Sequence, residues 1–447
     1  MPLAKMDSFM KYANFFYKCV GIEPYSSHER PKAASAWITF VFWANIVNVV
    51  FIMIAEFSFV VKSVVDKDIV LAVMVMSYVG FIVVGLSKMF FVWLNKATLS
   101  HIVRDLEDLF PRDKPAQVAC KLDYYLNSCS RISFMFSMLY SVAIWTFNLF
   151  NLIQYVIYDW WLQTRIVPET LPYPVYVPWD MRHGLKYLLM FFNQNFAGYT
   201  SAAGQVSTDL LLCAVITQII MHFNYLSQKF EDHQLTGDWA QDSRFLSEVV
   251  HYHNRLLRLS DQLNEIFGVP LILNFLISSF VLCFVSFELT VGVTPDEAIK
   301  LLLFLVSSLS QAYLICHHGQ LIVDASFSFS MAAYNHNWTN ADERYRKALV
   351  FIMMRSQDPT YLKATVFIQI TRGTMTDSSG FSMAAYNQNW IMADERYRKA
   401  LVFIMMRSQD PTYLKATVFI QITRGTMTDL LQLSYKFFAL LRTMYVK

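Results

Sequence analysis

The chain is short of charge. Only 16% of its 447 residues are Asp, Glu, Lys or Arg, while 55% are hydrophobic and 16% aromatic, and the mean hydropathy is +0.34. A soluble domain of this length carries more charge, so the composition places the chain in a bilayer. Enzyme signatures are missing as well. No Gly-rich phosphate loop, nucleophile elbow or paired-carboxylate site appears, so neither an enzyme activity nor a cofactor is expected, and nucleic acid is not an expected partner. A metal site is not expected either, because His251 and His253 point to opposite helix faces and the adjacent His317 and His318 also diverge. Cys19, Cys120, Cys129, Cys213, Cys283 and Cys316 fall in segments read as cytoplasmic or membrane-embedded, so none is placed for an extracellular disulfide. Before Ala36 the chain has Lys5, Lys11, Lys18, Arg30 and Lys32 but no apolar run with a cleavage site, which makes the first span the expected insertion signal.

What is present is long apolar sequence. Crossing about 30 Å of hydrocarbon at about 1.5 Å per residue takes about 20 apolar residues, and seven stretches qualify: Ala36–Phe59, Ile69–Leu94, Phe134–Ile157, Leu185–His222, Phe267–Val291, Ile299–Cys316 and Thr417–Tyr445. The fourth is too long to be only a span and is expected to continue as a helix into water. Basic residues crowd the N-terminal segment and the second, fourth and sixth connections (Lys96, Arg104, Arg112, Lys114, Lys121, Arg131; Lys229, Arg244, Arg255, Arg258), so these belong in the cytoplasm. The fold class expected is an all-α membrane protein with seven transmembrane helices, a cytoplasmic N-terminus and an extracellular C-terminus. A G-protein-coupled receptor has the reverse orientation, and neither Asp-Arg-Tyr after the third span nor Asn-Pro-x-x-Tyr in the seventh is present.

An internal repeat interrupts this plan. Phe329–Asp377 recurs as Phe381–Asp429, shifted by 52 residues and differing only at His336/Gln388, Thr339/Ile391 and Asn340/Met392. Solenoids and propellers show several diverged copies, so two near-identical ones indicate a recently duplicated exon or a faulty gene model. The organisation expected is 1–328, the N-terminal segment and helices 1 to 6; 329–377, an extra cytoplasmic copy; and 378–447, the second copy with an amphipathic helix and the pore-lining seventh helix. In that second copy Tyr397, Leu401 and Ile404 form one apolar face of Ala393–Met406, and Pro411 ends the helix as a hinge.

Three blocks carry a family resemblance. The first is Leu171-Pro172-Tyr173-Pro174-Val175-Tyr176-Val177-Pro178-Trp179-Asp180. The second runs from His253-Asn254-Arg255-Leu256-Leu257 through Leu263-Asn264-Glu265-Ile266-Phe267 to Phe275, Ser278, Ser279, Leu282 and Cys283. The third joins Ala384-Ala385-Tyr386, Trp390, Arg398-Lys399 and Arg407-Ser408-Gln409-Asp410-Pro411 to the final Ser434-Tyr435-Lys436-Phe437-Phe438-Ala439-Leu440-Leu441-Arg442. With these blocks the chain resembles the insect odorant receptor family of seven-span, ligand-gated cation channels. The resemblance implies a heterotetramer in the plasma membrane of a sensory neuron dendrite, where this tuning subunit binds a volatile ligand beside co-receptor subunits. The short connection between spans four and five fits a tuning subunit, and the duplication departs from the family pattern.

The residues offer their own candidates. Ser434, Phe438 and Leu441 share one face of the last helix, where bulky apolar groups can close a pore by dewetting or simply pack on a neighbour. Ligand binding is expected in the outer halves of the middle spans, at Met74, Tyr78, Trp145, Phe147, Asn148, Tyr187, Phe191, Phe192, Phe196 and Tyr199, where aromatic rings suit small apolar volatiles. Asp209, a carboxylate well inside a span, is expected to pair with a neighbouring helix, and Lys88, Glu56 and Glu288, near span ends, are expected to reach the interface with the lipid headgroups. A gustatory receptor is the nearest alternative, though its last helix has a different Thr-Tyr and Gln-Phe pattern. A G-protein-coupled receptor or a transporter fits less well, since a transporter would show broken helices in two corresponding halves.

Overall fold

In the computed structural model the described residues are 3–25, 32–168, 170–178, 184–291, 294–338, 341–356, 359–368 and 416–445. Chain contacts divide it into one unit made of Met1–Ala364 with Ile420–Lys447, and a second, Thr365–Phe419.

The first unit is a helical bundle. After α1 (Lys11–Val20) come α2 (Lys32–Val65), α3 (Ile69–Leu94), α4 (Lys96–Leu109), α5 (Lys114–Ala119), α6 (Leu122–Asn148), α7 (Phe150–Gln154), α8 (Leu185–Glu231), α9 (Trp239–Val291), α10 (Pro295–Asn335) and α11 (Glu343–Ser356), and the last helix is α12 (Arg424–Tyr445). Five of these helices are long and apolar enough to cross a membrane, and six if α6 and its bent continuation form one span. At about 1.5 Å per residue α12 is also long enough, but it carries Arg424, Asp429, Lys436 and Arg442.

α8 is the core of the bundle. It packs against α1, α2, α3, α6, α9 and α10, and its most apolar stretch is wholly buried. Ser201, Ala202, Ala203, Gly204, Ser207 and Thr208 allow this, since small residues let helices approach closely without hydrophobic driving force from lipid. At Gly204 an added Cβ would lie 2.5 Å from the Met89 sulfur of α3. α10 starts at a capping box, with the Thr294 hydroxyl accepting from the Glu297 N–H and the Thr294 N–H donating back to the Glu297 carboxylate, and with Pro295 in the first turn.

Two spans differ from the sequence reading. The third, expected as one span over Phe134–Ile157, breaks after Asn148 and bends by 69° into a segment with π-helical turns at Tyr155–Trp161. Side-chain bonds pull Asn148 inward there, as described below. The seventh, expected from Thr417, begins at Arg424. Ala416–Ile422 instead forms strand β2, paired in a two-stranded sheet with β1 (Leu362–Ile368). Thr417, Val418, Ile420 and Ile422 are β-branched and favour extended backbone, and the duplication supplies the same sequence as a partner strand.

The described part of the first repeat copy packs into the bundle. Phe329 at the end of α10 is fully buried, as are Tyr345 and Leu349 of α11. Tyr345 and His336 share a hydrogen bond of 3.0 Å. Asn264 of α9 clamps the chain that follows, donating to the Tyr361 carbonyl (2.9 Å) and accepting from the Lys363 N–H (2.8 Å). In the second unit only 365–368 and 416–419 are described. The expected amphipathic helix Ala393–Met406 and the Pro411 hinge lie outside the described residues.

Candidate functional site: a cavity under a folded-in loop

The loop before α8 builds the site. Leu171-Pro172-Tyr173-Pro174-Val175-Tyr176-Val177 turns into the bundle, where Leu171, Val175 and Val177 pack on Val49, Ile52, Ile82, Met190 and Ala197. Backbone groups of Tyr173 and Tyr176 find partners there, as burial favours. The Tyr173 N–H donates to the Gln194 side-chain oxygen (3.2 Å), the Gln194 amide donates to the Tyr173 carbonyl (3.0 Å), and the Tyr176 N–H donates to the Ala55 carbonyl (3.1 Å).

Tyr173 thereby meets the middle helices. Its hydroxyl donates to the Asn148 side-chain oxygen at 2.6 Å, and the Asn148 amide donates to the Asn195 carbonyl at 3.1 Å. Gly198 makes room for this, since a Cβ there would come within 2.6 Å of the Tyr173 hydroxyl. The rings of Tyr78, Phe147 and Tyr173 lie 5.3 to 5.8 Å apart by their centroids, in edge-on and stacked arrangements, with Met74 packed against them. Aromatic pairs favour these geometries.

Beside that cluster is a cavity of about 50 Å³, on the measure by which one water occupies about 10–15 Å³. Ile52 and Glu56 of α2, Tyr78, Phe81 and Ile82 of α3, Tyr140, Ala143, Ile144 and Phe147 of α6, Gly198 and Ala202 of α8, and Phe304 and Ser307 of α10 line it, with Tyr173 as its lid. Phe81, Tyr140 and Phe304 also line a smaller void together with Gln205, Asn274 and Gln311.

Of the residues chosen from sequence, Tyr78 and Phe147 line the cavity, and Met74 and Asn148 support its wall. The others sit elsewhere. Trp145 rests on Tyr199 (5.7 Å) at the outer surface of the bundle. Tyr187 stacks on Phe191 (6.1 Å), and its hydroxyl donates to the Thr170 carbonyl. Phe192 and Phe196 are exposed on α8. In the last helix Ser434 is buried and donates to the Leu430 carbonyl (2.8 Å), Phe438 and Leu441 are half-buried, and Tyr435 and Leu440 are exposed.

Tyr140 also joins the cavity wall to a polar network. The Lys88 ammonium bonds both Asp209 oxygens, at 2.7 and 2.9 Å. The Gln311 amide donates to Asp209 at 2.5 Å, and the Tyr140 hydroxyl donates to the Gln311 oxygen at 2.9 Å. Asp209 thus pairs with a neighbouring helix as expected. Lys88, expected at the interface, is 1% exposed instead, because Asp209 offers it a full counter-charge inside. Glu56 departs from its expected interfacial place in another way. It is 0% exposed, and neither carboxyl oxygen has a hydrogen-bond partner among the described residues.

Known proteins match this chain along nearly its whole length. The family profile described as 7tm Odorant receptor matches residues 68–376 and, separately, 373–435. Odorant receptor 85c of Drosophila melanogaster is 50% identical over 439 residues, 98% of this chain and 100% of that protein. Odorant receptor 85b of the same fly is 48% identical over 442 residues, 99% and 100% of the two chains. Among solved structures, the olfactory receptor OR5 of Machilis hrabei in complex with eugenol matches with a TM-score of 0.69 at 14% identity, covering 91% of this chain and 99% of that one. With a multi-pass helical bundle, the fold of a solved insect olfactory receptor and near-full-length relatives at about half identity, this chain belongs to the odorant receptor family.

Proposed function

We propose that this chain is the odour-binding subunit of a ligand-gated, non-selective cation channel, assembled with co-receptor subunits in a heterotetramer in the plasma membrane of sensory dendrites. The cavity under the folded-in loop carries the reading. It is mostly apolar, roofed by Tyr173 and walled by five helices, which suits a small volatile molecule held by dispersion and shape. The Machilis hrabei receptor was solved with eugenol, a small volatile of that kind. Ligand opens the pore only by binding the open arrangement more tightly than the closed one. α3, α6, α8 and α10 all touch the cavity, and α10 also packs on α12, so a change in cavity shape has a direct mechanical route to the last helix. In the assembly, α12 of each subunit lines the pore through Phe438 and Leu441, with Ser434 at the inner end of the same face. The N-terminus is cytoplasmic and the C-terminus external.

The duplicated stretch enters this proposal as an insertion. Because the first copy is docked through α11 and the Asn264 clamp, while the second copy supplies β2 and the start of α12, the added 52 residues run from Thr365, inside β1, to Ala416, the first residue of β2. The test is current under voltage clamp in cells expressing the chain with and without a co-receptor, over a panel of volatiles. Odour-evoked cation current that needs the co-receptor is expected. Silence of every combination despite surface expression contradicts the reading.

A further inference from the structure

Among the described residues Glu56 is the one acidic side chain on the cavity wall, and it has no hydrogen-bond partner. It is fully buried in the last third of α2, roofed by the loop whose Tyr176 N–H bonds the neighbouring Ala55 carbonyl. The nearest cation along the same helix, Lys62, sits over the Tyr176 ring at 5.0 Å. Two unsatisfied carboxyl oxygens inside a bilayer are costly, and buried polar groups left without partners call for an explanation. Polar neighbours elsewhere in the bundle are committed: Asp209 to Lys88 and Gln311, Asn148 to Tyr173 and Asn195. Glu56 faces empty space.

We infer that the Glu56 carboxyl is the specificity-determining hydrogen-bond partner of the ligand, and that the cavity takes volatiles with a single hydroxyl or carbonyl oxygen on an apolar body. This rests on the cavity being the ligand site. An isolated carboxylate without a counter-charge is far more expensive there than a neutral carboxyl. In neutral form the group donates through its O–H to a ligand carbonyl or hydroxyl oxygen and accepts a ligand O–H on its own carbonyl oxygen. An alcohol uses both capacities and a ketone one. A hydrocarbon uses neither and leaves the carboxyl unpaired, so it binds the same walls more weakly. Sites built to hydrogen-bond a ligand discriminate against analogues lacking the group more strongly than apolar pockets discriminate by size. Tyr78, Ile52 and Phe304 then hold the apolar part.

The test uses four six-carbon probes, hexane, 1-hexanol, hexan-2-one and hexylamine, on the full chain with its co-receptor. Two readouts are taken: ligand-induced thermal stabilisation of the purified complex, and evoked current. Glu56→Leu removes the carboxyl at similar volume, and Glu56→Gln keeps a neutral donor and acceptor. Wild type is expected to bind 1-hexanol and hexan-2-one about tenfold or more tighter than hexane. Glu56→Leu reduces that ratio to within about twofold by weakening the oxygenated probes, and Glu56→Gln retains most of it. Equal ratios in wild type and Glu56→Leu overturn the inference, as does stabilisation by none of the probes. Tightest binding by hexylamine, lost in Glu56→Gln, also overturns it, because the carboxyl would then serve as a counter-ion. Selective binding without current in any form leaves the Glu56 assignment standing and removes the channel reading.

Discussion

The carboxyl groups of Asp209 and Glu56 both lie buried in the membrane-spanning helices, and they differ in one respect. Asp209 has a cation and an amide on its oxygens, whereas Glu56 has neither. Paired buried charge fastens α3, α8 and α10 to one another, and the energy of each partner depends on the other. The unpaired group fastens nothing, and its place on a cavity wall makes it available to a ligand. The comparison separates structure from recognition within one membrane core, since removing either member of the pair should damage the fold and removing the lone group should alter what the cavity binds.

The sharpest way to break that comparison is at Asp209. Asp209→Ala leaves the Lys88 ammonium buried without a counter-charge and is expected to destabilise the subunit by about 3–5 kcal/mol, read as lost surface expression and earlier thermal unfolding. Adding Lys88→Met removes the stranded charge and restores most of the loss. Next in size is the roof. Gly198→Ala drives a Cβ against the Tyr173 hydroxyl and Asn148, an overpacking cost of about 1–3 kcal/mol, and ligand potency measured by dose–response falls along with stability. Glu56→Leu, in contrast, exchanges an unsatisfied polar group for an apolar one and leaves the unfolding temperature unchanged or raised. A Glu56→Leu protein as unstable as Asp209→Ala would end the distinction between the two carboxyls.

Smaller effects are expected at the repeat. Deleting Thr365–Ala416 or 329–380 joins the same flanking sequence, and the two products differ only at the three positions where the copies differ. Only the first product keeps His336, which is buried beside His233 and bonded to Tyr345. Burial first, and then the neighbouring His233, hold the His336 imidazole below its ordinary range. Its neutral form is therefore favoured by folding. The stability this contributes is complete above the unfolded pKa of about 6.5 and is lost as pH falls through the lowered folded value. Thermal unfolding between neutral and mildly acidic pH is expected to be steeper with pH in the product carrying His336 than in the one carrying Gln388. Equal pH dependence would remove His336 from that account.

Much of this was legible in the sequence. Apolar length locates the long helices, the excess length of the fourth run agrees with α8 staying helical to Glu231, and three motif blocks point to the family. The orientation of side chains was less accessible. Nearness to span ends points Glu56 and Lys88 to the interface but says nothing of which helix face they occupy. A signal was present for α2: Asn45, Val49, Ile52, Glu56, Val60 and Ser63 recur at three- and four-residue steps and are all buried, so its three polar members mark the inward face. For the aromatic residues no such signal exists in a membrane, because lipid-facing and core-facing positions are equally apolar; Trp145, Phe192 and Phe196 read like Tyr78 and Phe147. Tyr173 belongs to a third kind. Its path into the bundle depends on bonds to Gln194 and Asn148, twenty-odd residues away in either direction, and local pattern does not reveal them.

The most direct test of the cavity as the odour site is to fill it. Ala143→Phe puts a ring into the space beside Tyr140 and Phe147 from a half-buried position on α6. Current is recorded under voltage clamp with the co-receptor, at surface abundance matched to wild type. The account predicts that volatiles evoking cation current through wild type evoke none, or only at far higher concentration, through Ala143→Phe. Unchanged dose–response curves at matched abundance would contradict it.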